Sequence, residues 1–156
     1  MKIFYLIGES DNKLIGWKNR NNFQEPENVE APEVGEIFLN IFSEPWMAVQ
    51  YLKNVLGNDS AGLYEIDSPN SWEFYKGLAV EALGAKRAII NLCDTNKRHE
   101  DFQFIIYPLD TKNNDFEDLQ ETLKNINLCD ICYSKDVFQQ NFSSEEKISV
   151  YQNRFD

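Results

Sequence analysis

Apolar and polar residues follow two different periods along this chain, and the clearest change from one to the other lies between positions 43 and 67. Within SEPWMAVQYLKNVLGNDSAGLYEID, Trp46, Val49, Leu52 and Leu56 recur every three or four residues. Ala48, Tyr51 and Val55 widen that stripe into the apolar face of a helix. Ser43 is placed to accept hydrogen bonds from the first turn, and Glu44 favours the positive end of the helix dipole. Pro45 suits a first turn, where its missing N–H has no partner anyway. Gly57-Asn58 suits the left-handed closure of a helix. Beyond it, Leu63, Glu65 and Asp67 alternate with Tyr64 and Ile66, the period of a strand with one wet face. The pattern predicts a helix packed on a sheet that contains this strand.

The same reading extends in both directions. Residues 3–8 and 13–18 are runs of β-formers joined by Glu9-Ser10-Asp11-Asn12, which predicts a hairpin. Residues 19–34 hold no period and carry Pro26, Pro32 and several asparagines, so a long exposed loop is expected. Loops of that length in compact domains are often binding elements. Residues 35–42 read as a strand. Ser68-Pro69-Asn70-Ser71 reads as a turn with an N-cap, followed by a helix over Trp72, Tyr75, Leu78, Ala79, Ala82 and Leu83 that ends at Gly84. Residues 86–93 return as a buried strand, 94–101 as a polar turn, and 102–109 as a strand that Pro108 restricts to a sheet edge. Phe116, Leu119, Leu123 and Ile126 mark a third helix with Asp115, Glu117 and Asp118 at its start. A short strand is expected over 128–133. Ser143 and Glu146 have capping-box spacing and introduce a final helix over Ile148 and Tyr151. The sum is one α+β domain spanning residues 1–156, a mostly antiparallel sheet of about five to six strands with two or three packed helices.

Composition supports a packed fold. Of the 156 residues, 42% are hydrophobic and 13% aromatic, which outweighs a net charge of −11 as an argument about disorder. The charge instead narrows the partners. With a pI near 4.5, the chain should be repelled by bare nucleic acid and by anionic membranes, leaving a basic protein or a cation as the charged partners it could meet. Cys93, Cys129 and Cys132 are an odd number and give no complete disulfide framework, so a reducing cytoplasm is expected. The apolar run in MKIFYLIGES is too short for a signal peptide, and nothing approaches the roughly 20 apolar residues of a spanning helix.

No motif for catalysis emerges. Cys129-Asp130-Ile131-Cys132 lies in a predicted strand, where its two thiols would face opposite ways. Only Cys93 and His99, far upstream, could complete a zinc set, so the three cysteines read as buried thiols. His99, the only histidine, sits in the charged turn Asn96-Lys97-Arg98-His99-Glu100-Asp101 with no nucleophile elbow nearby. Glycine-rich phosphate loops are absent and no cofactor is called for. Glu65 and Asp67 would share a strand face, where alternating acids are ordinarily solvated. Asp110, Asp115, Glu117 and Asp118 do not have calcium-loop spacing.

The distribution of charge says more than its sum. Over positions 21–52 there is no Lys or Arg, while Glu25, Glu27, Glu30, Glu33, Glu36 and Glu44 all fall there. Phe23 and Trp46 flank these acids, the mixture of aromatic and charge expected of a binding hot spot. The function expected from this is non-catalytic: neutralisation of a basic protein, as by the immunity protein of a bacterial nuclease toxin. Glu25, Glu27, Glu30, Glu33, Glu36 and Trp46 are the expected contacts. Two alternatives follow from the same sequence. A DNA mimic would space carboxylates like phosphates along one face. A small enzyme would draw on scattered residues such as Tyr64, Glu65, Asp67 and His99, gathered in a pocket.

Overall fold

A computed structural model describes residues 2–20, 32–53, 60–91, 105–109, 114–124 and 150–151. Their elements are β1 (Phe4–Glu9), β2 (Lys13–Leu14), β3 (Trp17–Lys18), β4 (Ile37–Ile41), α1 (Pro45–Tyr51) and β5 (Gly62–Ile66). Then come α2 (Pro69–Leu78), a π-helical segment (Ala79–Leu83), β6 (Arg87–Ile90), β7 (Ile105–Pro108), α3 (Phe116–Lys124) and β8 (Val150–Tyr151). The class is α+β, but the strands form two mixed four-stranded sheets where one mostly antiparallel sheet was expected. Sheet I has the order β2-β1-β5-β8 and sheet II the order β3-β4-β6-β7. β4 pairs with β6, and β5 with β8, in parallel; the other pairings are antiparallel. Periodicity sets which residues share a face, whereas strand direction depends on the connection. The passage from β4 through α1, β5 and α2 is a crossover, and it delivers β6 beside β4 in the same sense.

The expected second strand of the hairpin is shared between the sheets. Lys13–Leu14 pairs with β1 and Trp17–Lys18 with β4. Gly16 lies at the crossing point, where a Cβ would stand 2.7 Å from the Phe38 carbonyl oxygen and 3.3 Å from the Leu83 side chain. Only glycine permits so close an approach. A second junction comes from Tyr5 and Phe42, which exchange two backbone hydrogen bonds of 2.9 Å between β1 and the end of β4.

Both faces of this joined sheet are covered. On one side Phe4, Leu6, Tyr64 and Ile66 from sheet I meet Leu39, Ile41, Ala88 and Ile90 from sheet II, under Trp72 and Tyr75 of α2 and Phe116 and Leu119 of α3. On the other, Ile7, Leu63, Phe38, Phe42 and Ile89 pack against Met47, Ala48 and Tyr51 of α1. The one wet face expected for β5 is therefore corrected. Leu63 and Tyr64 are both buried, and only Glu65 is left half-exposed, with Asp67 exposed beyond the strand. Alternation could not anticipate that α1 and α2 would take opposite sides.

α2 follows its sequence signals. Ser68 accepts the Ser71 N–H at 3.1 Å, and the Ser71 hydroxyl accepts the Ser68 N–H at 3.0 Å, a reciprocal cap. Gly84 closes the helical run in the left-handed region at φ 70°. α1 begins differently: its cap residue is Glu44, with no side-chain capping bond, and Ser43 faces inward. The expected final helix is also overturned at Tyr151. Val150–Tyr151 is a strand parallel to β5, and the Tyr151 ring stacks on Tyr64 at 4.7 Å. Pairing with a sheet and stacking on a buried ring outweigh a weak local helix signal. Ser143, Glu146 and the elements expected over 94–101 and 128–133 lie outside the described residues. Among the described residues, no helix is long and apolar enough to cross a membrane.

Candidate functional site

The acidic run enters the described structure at its downstream end, where it turns into β4. Gly35 takes φ 89° there, a value open to glycine at little cost. Asn19, wholly buried, fixes this turn. Its N–H donates to the Glu36 carbonyl (2.8 Å), its carbonyl accepts the Gly35 N–H (2.7 Å), and its Nδ2 donates to the Glu33 carbonyl (2.9 Å). The Glu36 N–H adds a bond to the Glu33 carbonyl (3.1 Å), and the Glu33 N–H one to Glu36 Oε1 (3.2 Å). The result is a rigid turn that leaves Glu33 and Val34 exposed, the Val34 side chain at 65%.

Glu36 is held as well. Strand period puts its side chain on the face of Phe38, and parallel register puts Arg87 beside Phe38 on that face. Arg87 Nε donates to Glu36 Oε2 at 2.8 Å, and Nη2 to Oε1 at 2.5 Å. Its guanidinium lies 5.2 Å from the centre of the Phe38 ring. Both charged side chains are about 15% exposed. Burial pushes the Glu36 carboxyl up, but the Arg87 hydrogen bonds, the Glu33 N–H and the Arg87 and Lys86 charges together hold it below its ordinary value. Glu36 is thus paired within the chain, and its negative charge is largely met there.

Between this turn and the ends of β6 and β7 lies a half-open groove of about 560 Å³, bordered by Glu33, Val34, Ile37, Lys86, Arg87 and Pro108. Its exposed charges are Glu33 on the turn and Lys86 immediately before β6. Trp46 is elsewhere, half-buried at the start of α1, beyond the far end of β4. Glu44 next to it meets Lys2 at 3.4 Å across the surface. The structure therefore brings Glu33 and Glu36 together and sets Trp46 apart from them. Glu25, Glu27 and Glu30 lie outside the described residues.

Tyr64, Asp115 and Asp118, among the residues considered for chemistry, make structural contacts. Tyr64 donates its hydroxyl to the Glu9 carbonyl at 2.5 Å and accepts the Asn12 N–H at 3.0 Å, bracing the β1–β2 turn. Burial, aided by the nearby Asp11 carboxylate and opposed by the Asn12 N–H, raises its hydroxyl above the ordinary value. Asp115 accepts the Asp118 N–H at 2.8 Å, and the Asp118 carboxylate accepts the Tyr107 hydroxyl. The acids at the start of α3 thus cap and brace. No group of three or more metal-ligating side chains occurs among the described residues. His99, Asp110 and the three cysteines fall outside them.

Sequence reasoning missed Asn19, Val34, Lys86 and Arg87. Asn19 resembled one more loop asparagine, and Arg87 one more charge ahead of a buried strand. The available signal was Gly35 immediately before an apolar strand, which marks a tight turn needing support. No protein-family model matches the chain, and a search of curated proteins found no similar sequence.

Proposed function

We propose that the chain binds and neutralises a basic protein by surface complementarity, with no bond made or broken in the encounter. The immunity partner of a bacterial nuclease toxin is the kind of protein this describes: an acidic face would occupy the cationic surface that otherwise receives a nucleic-acid backbone. One observation carries the reading. The cation-free run over positions 21–52 passes through an immobilised turn that keeps Glu33 and Val34 in solvent. A rigid exposed apolar residue beside a carboxylate loses little conformational freedom when a partner covers it. In this reading Glu25, Glu27, Glu30 and Glu33 supply the field that speeds and orients association. Trp46 offers a separate apolar contact, and Glu36 serves mainly as a pin through Arg87.

The test is capture on the immobilised chain from an extract of its native cell, at low and at high salt. The captured protein is then purified and its activity measured with and without the chain. One basic protein should be retained and silenced, less well at high salt and less well by the Glu27→Lys, Glu30→Lys double variant. Capture indifferent to both salt and charge reversal, or turnover of a small molecule by the chain alone, would sink the reading.

A further inference from the structure

Gly77 interrupts α2 for no reason that the fold supplies. It does not take a positive φ, and a Cβ there would meet no atom within 4 Å. Glycine inside a helix is destabilising relative to alanine, so the fold alone would favour alanine at this position. What glycine does allow is a close approach by another helix, because side chains at the contact set the distance between packed helices. Gly77 also lies at the middle of the outer face. Trp72, Tyr75 and Ala79 bury the opposite side of the helix, and helical spacing puts Glu73, Phe74, Val80 and Glu81 around the glycine. Phe74 and Val80, 39% and 43% exposed, stand one turn before it and one turn after. Glu73 and Glu81 are exposed beyond them, each four residues from the glycine.

The two acids decide what can lie there. A second copy crossing antiparallel at Gly77 would set Glu81 of one copy opposite Glu73 of the other, twice over by symmetry. That is a like-charge contact between chains that each carry a net charge of −11. Glu73 meets Lys76 at 2.8 Å, but Lys76 is drawn inward, donating to the Asn114 carbonyl at 2.9 Å and lying 5.4 Å from the centre of the Trp72 ring. Glu81 has no ion-pair partner among the described residues. The face is therefore apolar at its centre and negative at its rim. We propose that the outer face of α2 seats an amphipathic helix of the basic partner, crossing at Gly77. Its aliphatic side chains lie against Phe74 and Val80, and its Lys or Arg side chains reach Glu81 and Glu73. This seat rests on the basic-partner reading for the protein that supplies the helix.

The probe is an amidated peptide of two Leu-Lys-Lys-Leu-Leu-Lys-Leu heptads, titrated into the isotopically labelled full chain and followed by backbone amide shifts. Saturable shifts should centre on residues 73–81 and spare Glu117 and Glu121 of α3, which are exposed acids too. The same peptide with Glu for Lys should produce none. Gly77→Ala should raise the midpoint of thermal unfolding by about 2–4 °C while it weakens the peptide. A glycine needed only by the fold would lower that midpoint. Gly77→Leu and Phe74→Ala should each weaken binding about tenfold. Glu81→Lys should weaken it about two- to fivefold and flatten its salt dependence. The amide spectrum of each variant reports an intact fold. Shifts centred on α3 or elsewhere, affinity unmoved by Gly77→Leu and Phe74→Ala, or earlier unfolding of Gly77→Ala overturn the proposal. So does a parent chain that sediments as a dimer where Gly77→Leu sediments as a monomer, since a second copy would then be the occupant. If Gly77→Leu and Phe74→Ala still capture and silence the native basic protein, the α2 seat is excluded while the basic-partner reading stands. If no basic protein is captured, that reading falls and this seat with it.

Discussion

The starts of α1 and α2 both set a serine ahead of a proline, one residue farther from it in α1, and are solved in opposite ways. Ser43-Glu44-Pro45 precedes one helix and Ser68-Pro69 the other. Ser68 turns back on its own helix and forms a reciprocal cap with Ser71. Ser43 turns into the core, where its N–H donates to Asn91 Oδ1 at 2.9 Å and its hydroxyl accepts from Asn91 Nδ2 at 2.9 Å. Asn91 holds φ 56° at the end of β6, a conformation that asparagine tolerates better than most residues. The same local signal therefore yields a cap where no other partner is near. It yields a bridge between β4 and β6 where one is buried alongside. A capping serine gains a local hydrogen bond of modest value, whereas a buried serine must satisfy its groups wherever it can.

That contrast can be broken most strongly at Asn91. Asn91→Ala leaves the Ser43 N–H without its partner and the Ser43 hydroxyl with only the Met47 sulfur, and puts alanine in a left-handed conformation, so a loss of about 3 kcal/mol is expected by urea denaturation. Adding Ser43→Ala to that variant should cost much less than Ser43→Ala does in the parent chain, because the two residues share one interaction. Equal costs in both backgrounds would mean that the bridge contributes nothing.

The other half-buried polar contact, Glu36 with Arg87, should come next. Glu36→Gln takes a bidentate carboxylate partner from half-buried Arg87 and is expected to cost about 2 kcal/mol near neutral pH. The Glu36 carboxyl is held below its ordinary value, so its contribution is present above the unfolded value of 4.5 and is lost as pH falls through the folded one. Thermal unfolding of the parent chain and of Glu36→Gln should thus converge on acidification. A gap that stays constant to low pH would refute the pairing.

Ser68→Ala tests the cap alone and should cost about 1 kcal/mol. Asn40 sharpens the comparison from the opposite direction. It is 1% exposed at the middle of β4, and neither amide atom has a hydrogen-bond partner among the described residues. Asn40→Val should raise stability by up to about 1 kcal/mol, since an unpaired buried amide is replaced by an apolar group suited to a strand. A drop of that size would show that the amide is satisfied in solution.

The elements that could be read in advance are those whose signals are local. α2 has its serine cap, its apolar stripe and its terminal glycine within seventeen residues, from Ser68 to Gly84, and it forms accordingly. β4, β6 and β7 lie inside the apolar runs that predict them, β1 passes the end of its run by one residue at Glu9, and Pro108 does end an edge strand. What resisted reading was every choice among distant partners. Ser43 could not be foreseen without Asn91, nor the strand at Tyr151 without Tyr64, nor the split of residues 13–18 without the close approach at Gly16. The candidate site divides in the same way. Its acidic run is plain in the residue order, while its support by Asn19, the pairing of Glu36 and the groove beside Val34 join segments far apart in the chain.

Residue order alone determined the α+β class, the position of most helices and strands among the described residues, and a run of negative charge upstream of β4, because each depends on neighbours within a turn or a strand length. Tertiary structure decided which strands run parallel, which serine caps, and that Glu36 of the acidic run is paired within the fold. Those outcomes turn on long-range contacts. There, burial makes an unmatched polar group costly enough to override any local preference.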